Sequence, residues 1–191
     1  NQLPQVAIRM VRERPLLSEE PMNSPEAAIR VMNDFLSQMD RELVCIVNLQ
    51  SDLKPISMNV VSMGARNESL VHSREIMKSA ILSNAASFML IHNHPSGSLK
   101  PSKEDIQITD RMQQVGNIMG IQLTDHIIIG RGQNYYSFHE KGIVEIKPIA
   151  YKTGLDEIHL PGKVAEVREQ NAEYGTDSNP VKNDNVINLV M

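Results

Sequence analysis

Apolar residues fall along the chain in blocks whose spacing switches between helical and extended. Ser24-Pro25-Glu26 reads as a helix start: a capping serine, proline at the first helical position and an acid in the first turn. Met32, Phe35, Leu36 and Met39 follow at helical spacing, which predicts an amphipathic helix over 25–39. Residues 43–47 form an apolar run of strand length, and 56–63 are β-branched enough for a second strand. Turn chemistry over 50–55 joins the two as a hairpin. After turn residues Gly64 and Asn67, Ser73 stands where it would cap a helix over 74–85 with Ile76, Ala80 and Ile81 inward. Residues 87–92 contain Phe88-Met89-Leu90-Ile91, the run expected of a buried strand. A Pro/Gly/Ser-rich loop over 92–101 leads to a long helix, opened by Ser102-Lys103-Glu104-Asp105 and stopped after Met119 by Gly120. Residues 121–129 and, beyond a turn at 131–133, 134–138 read as two further strands. Helices and strands alternating around a mixed sheet give an α/β or α+β class, with the helices packed on the sheet.

This pattern divides the chain. Residues 1–23, interrupted by Pro4, Pro15 and Pro21, read as an irregular lead-in, and 24–147 as one domain. Residues 148–191 hold four Lys/Arg against seven Asp/Glu, and read as a polar, mobile tail with a short helix around 163–172. A length of 191 residues suits that division, and 41% apolar residues are enough for a packed core. The net charge of −4 and the scarcity of rings (three Phe, four Tyr, no Trp) argue against direct nucleic-acid binding. Cys45 is the single cysteine, which excludes an internal disulfide and favours a reducing, cytoplasmic setting. Set inside an apolar run, it reads as a buried small hydrophobe. No apolar run approaches the ~18 residues of a membrane span. Residues 1–10 are too polar for a signal peptide, and an initial Asn points to a trimmed or partial chain.

The chemistry concentrates in residues 92–105. His92 and His94, two apart at a strand end, share a face because strand side chains alternate. Pro95 and Gly97 turn the chain, and Asp105 falls in the first turn of the next helix, where its carboxylate can reach the same ion. Two imidazoles and a carboxylate suit Zn²⁺, and three protein ligands leave a fourth position open for water, as in a catalytic site. Each half also has a plainer explanation. An H-x-H occurs often by chance, and Ser102 with Asp105 is a capping box that needs no metal. The letters His92-Asn93-His94 do not make an HNH nuclease, whose residues are spread over a ββα unit.

The run H-x-H-P, six residues, then S-x-x-D resembles the JAMM motif of the MPN/JAB metallohydrolases. The blocks Arg74-Glu75, His92–Gly97, Pro101-Ser102 and Asp125–Gly130 resemble the RadC-like JAB subfamily, over roughly residues 24–147. The resemblance implies a single JAB/MPN-like domain and a zinc-dependent hydrolase of amide or isopeptide bonds in peptide or protein substrates. It implies one zinc per chain on His92, His94 and Asp105, with Ser102 holding the substrate carbonyl oxygen or its oxyanion. Glu42 matches the upstream glutamate of the pattern, 50 residues before His92, as the base that takes a proton from water and returns it to the leaving amine. Glu75 is the rival base. Asn93 stands where many JAMM proteins carry Ser or Thr, and Ser73 where the subfamily usually has Pro. The competing function is a DNA-repair-associated accessory protein using the fold as a binding scaffold. Longer family members carry an N-terminal helical region linked to DNA, which 23 residues cannot hold. Asp125-His126 reads equally as a structural pair or a neighbour of the site, and His139 and His159 as surface histidines. Tyr135, Tyr136 and Phe138 read as core more than as a partner surface.

Overall fold

The computed structural model describes residues 18–64 and 72–147, with positions 7, 9–11 and 13. The expectations for 148–191, for His159 and for the turn at Asn67 lie outside the described residues. The described positions of the lead-in carry neither helix nor strand. Among the described residues three helices and five strands follow in chain order: α1 (Pro25–Leu36), β1 (Glu42–Leu49), β2 (Pro55–Gly64), α2 (Ser73–Leu82), β3 (Ser87–Asn93), α3 (Lys103–Met119), β4 (Gln122–Ile129) and β5 (Tyr135–Ser137). The sheet runs in the order β2-β1-β3-β4-β5. Its β3–β4 pair is parallel and every other pair antiparallel, the mixed sheet expected of an α+β chain.

The local signals act as the residue types require. Ser24 caps α1 by accepting from the Ala27 amide at 3.3 Å. The helix stops at Leu36, short of 39, but Met39 still packs on the same core from the turn that follows. At the far end of α3, Gly120 takes the left-handed conformation (φ 70°) that a C-cap favours and a side chain resists. For α2 the helix forms and Ile76 and Ala80 are buried as expected, but the expectation fails at the cap and at Ile81. His72 is the cap position, with no side-chain bond, and Ser73 is the first helical residue. Ile81, expected inside, is 51% exposed, whereas Met77 and Ser79 are buried. The reason is polar: the buried Asn48 amide of β1 lies against Ser79 Oγ (3.1 Å) and Ser83 Oγ (3.3 Å), which turns that edge of α2 inward.

Two cores sandwich the sheet. On one face α1 covers Leu43, Cys45, Val47, Met89, Ile91, Ile127 and Ile129. On the other, α2 and α3 cover Ile46, Phe88, Leu90, Leu123 and Ile128. Strand parity therefore sets what each side chain meets, and β4 breaks its own parity once. Phe88 pairs with Leu123 but Met89 pairs with Asp125, so Thr124 is an extra residue in the ladder, its hydroxyl donating to the Phe88 carbonyl at 3.1 Å. Beyond this bulge, even-numbered residues of β4 face α3, and His126 joins Ile128 on that side.

Among the described residues no helix is long and apolar enough to cross a membrane.

Candidate metal centre

The site forms where β1 begins, β3 ends and α3 begins. Val44 pairs with His92 across the antiparallel β1–β3 ladder. Carrying that register one pleat further puts Glu42 opposite His94, on the face that α3 covers. Asn93 occupies the intervening position and is buried. Its Oδ1 accepts from the Leu43 amide at 2.9 Å and its Nδ2 donates to the Arg41 carbonyl at 3.0 Å. One side chain thus grips the backbone on both sides of Glu42. Sequence reading marked Asn93 only as a departure from the wider motif.

Asp105 is held by the capping box of α3. Ser102 Oγ accepts from the Asp105 amide at 3.0 Å, while Ser102 N (2.7 Å) and Oγ (2.6 Å) both donate to Asp105 Oδ2. The capping box and a metal ligand are therefore not alternatives. One carboxylate oxygen closes the helix end, and Oδ1 lies 3.2 Å from His92 Nε2. The hydroxyl of Ser102 spends its proton on Asp105 here, so donation to a substrate oxygen would require it to rotate away.

Glu42, His92, His94 and Asp105 each present a ligand atom, and these atoms lie within 4.8 Å of one another. His92 Nε2 and His94 Nε2 are 3.0 Å apart, and the Asp105 oxygens lie 3.2 Å from the first and 3.6 Å from the second. Ligands on a tetrahedral ion with bonds of ~2.0–2.1 Å stand about 3.3 Å apart. The donor set and its spacing fit zinc. The ring nitrogens are also turned the right way. His94 Nδ1 donates to the Ser98 carbonyl at 2.7 Å, since a carbonyl only accepts, so a neutral His94 points a bare Nε2 at the cluster.

Electrostatics separate the three groups. Complete burial pushes the His92 ring down to about 4, against the opposing pull of Asp105. Burial also raises the Asp105 carboxyl, but His94, His92 and Ser102 together outweigh it and hold the group below its usual range. His94 is raised, chiefly by its bond to Asp105, with Glu42 adding to the pull. An open cleft of about 420 Å³ meets the cluster on the Glu42 and His94 side, with Asp40, Arg41, Gly64, Pro95 and Ser96 completing its walls.

The other candidates separate cleanly. Glu75 sits on α2, where it pairs with Lys78 at 2.7 Å, and is not in the cluster. Asp125 is buried and accepts from Ser137 Oγ (2.6 Å) and the amides of His126 (2.7 Å) and His139 (2.9 Å), tying β4 to the chain after β5. His126 turns the opposite way, 2.9 Å from His92 Nδ1, and stacks on Phe138. Its unbroken apolar neighbours Ile127-Ile128-Ile129 hid its facing from any reading of alternation. Thr109, which reaches His126, went unnoticed although it lies one helical turn after Asp105. His139 is exposed, Phe138 is fully buried, and Tyr135 and Tyr136 are partly so.

A family model for the RadC-like JAB domain matches residues 22–143. Among curated relatives, a UPF0758 protein of Caldanaerobacter subterraneus subsp. tengcongensis is 40% identical over 126 residues, covering 66% of this chain and 54% of its own length. A UPF0758 protein of Thermotoga maritima is 42% identical over 104 residues (54% of this chain, 46% of the relative), and one of Clostridium perfringens 39% identical over 128 residues (67% and 56%). The chain spans about half the length of the curated relatives it matches. With the mixed sheet, the converging histidines and the capped aspartate on one face, and a family match over most of the described domain, this chain belongs to the RadC-like JAB domain family.

Proposed function

We propose that this domain is a zinc-dependent hydrolase of amide or isopeptide bonds in peptide or protein substrates, working in the reducing cytoplasm. The observation that carries the reading is the triangle of His92, His94 and Asp105 donor atoms at tetrahedral spacing, with the Glu42 carboxylate beside it at an open cleft. His92, His94 and Asp105 would hold one zinc ion. When bound, zinc supplies Lewis acidity, polarising a carbonyl and acidifying water.

The chain's own groups divide the remaining work. Glu42, half-buried where the cleft meets the cluster, takes the proton from the attacking water and delivers it to the leaving amine. Asn93 keeps that carboxylate in place through the flanking backbone. Ser102 orients Asp105 and, by rotating its hydroxyl, would donate to the oxygen that gains charge. Arg41, Pro95 and Ser96 line the approach of the substrate chain.

The test is Glu42→Gln assayed on a quenched-fluorescence peptide library at matched zinc content. Zinc should stay bound while hydrolysis falls by about 10²–10⁴-fold, the usual worth of a positioned base. Equal rates in the two proteins, or hydrolysis that survives chelation, would remove this mechanism.

A further inference from the structure

We infer that Thr109 and His126 are positioning residues for the metal centre: a buried hydrogen-bond chain through them sets the tautomer of His92, leaving its Nε2 lone pair facing the ion. The inference rests on the metal-binding part of the function proposed above.

The direction of every bond in the chain follows from one group that can only accept. Thr109 Oγ1 lies 2.6 Å from the carbonyl oxygen of Asp105, and a carbonyl has no proton to give. The single hydroxyl proton of Thr109 is therefore committed to that bond. At its second contact, 2.6 Å from His126 Nδ1, Thr109 must accept, so His126 carries its proton on Nδ1. A neutral imidazole carries a single ring proton, so with that proton on Nδ1 the Nε2 of His126 is bare. His126 Nε2, 2.9 Å from His92 Nδ1, then accepts from it. His92 is left with its proton on Nδ1 and a lone pair on Nε2, the atom that meets His94 and Asp105.

The arrangement answers a real conflict. Asp105 Oδ1, 3.2 Å from His92 Nε2, draws a proton onto the very nitrogen that must bind metal. His94 escapes this problem because its Nδ1 meets a carbonyl directly. His92 meets another histidine, which could give or take, and Thr109 removes that ambiguity. Thr109, His126 and His92 expose 0%, 1% and 1% of their surface, so water has little access with which to rewire the chain. Stacking on Phe138, with ring centroids 4.7 Å apart and 15° between planes, holds the His126 ring in register. The chain starts on the backbone of one proposed ligand and ends on the ring of another, so α3 and β3 are placed together.

The test replaces Thr109 by the isosteric valine. With no acceptor at Nδ1, His126 should shift its proton to Nε2, donate to His92 and drive the His92 proton onto Nε2. Ring ¹⁵N shifts of the metal-free protein should show His92 protonated on Nδ1 in the parent and on Nε2 in Thr109→Val. Zinc affinity, read by competition with a chromophoric chelator, should fall by about 10–100-fold, the usual effect of losing an outer partner of a metal-binding histidine. Thr109→Ser should restore both. A parent with His92 protonated on Nε2 overturns the inference, and that measurement decides the matter even if the valine variant does not fold. So does a folded valine variant that keeps the parent's tautomer and zinc affinity while losing only thermal stability. Failure of the parent to bind zinc would overturn the metal reading itself, a result distinct from a wrong tautomer.

Discussion

Replacing Asn93 by alanine tests how the proposed base is held in place. The Asn93 side chain is buried and makes two bonds whose directions are forced, because Leu43 N only donates and Arg41 O only accepts. Truncation strands the Leu43 amide, whose residue is 1% exposed, at a cost of about 1–3 kcal/mol for an unsatisfied buried donor. Arg41 is exposed, so water can replace the other bond and its loss adds only about 0.5–1.5 kcal/mol. Asn93→Ala should therefore lower stability by roughly 1.5–4.5 kcal/mol in urea titrations at unchanged slope. Hydrogen exchange should localise the damage, with the Leu43 amide losing protection while amides at the centre of β3 keep theirs. Zinc should still bind, because the ligand atoms of His92, His94 and Asp105 do not touch Asn93, while hydrolysis falls as Glu42 loses its flanking anchors. A variant with parental stability and a protected Leu43 amide would refute the reasoning.

The remaining predictions follow from single contacts. The double variant His92→Ala/His94→Ala should lose nearly all zinc in metal analysis, and full occupancy would dissolve the ligand assignment. Ser102→Ala should cost about 0.5–2 kcal/mol in thermal or denaturant melts through loss of the α3 cap; Ser102→Thr should keep most of it, and an alanine variant as stable as the parent would show the cap to be idle. Cys45 is fully buried and burial pushes its thiol up to about 12, so a chromogenic thiol reagent at pH 8 should label it only after denaturation. Rapid stoichiometric labelling of the folded protein would contradict the packing of β1.

Elements whose cause is local were legible from the sequence alone. Ser24-Pro25 starts α1, Ser102 and Asp105 box the start of α3, and Gly120 ends it, because capping depends on residues within one turn. His92 and His94 were readable as a pair for the same reason: strand alternation puts positions two apart on one face. Glu42 came from the resemblance and not from its surroundings, since nothing nearby in sequence shows what lies across the ladder. The fold places it there through the β1–β3 register, which joins residues 50 apart. The inward edge of α2 was misread because Asn48, on another strand, draws Ser79 and Ser83 inside against the ordering of hydrophobicity. His126 depended on the extra residue at Thr124, which switches the face of every later side chain in β4. A one-residue bulge leaves no mark in a run of isoleucines buried on both faces. Local sequence thus determined which segments fold and where they stop, while register, bulge and buried polar contacts, all set between distant strands, decided which side chains meet at the candidate metal centre.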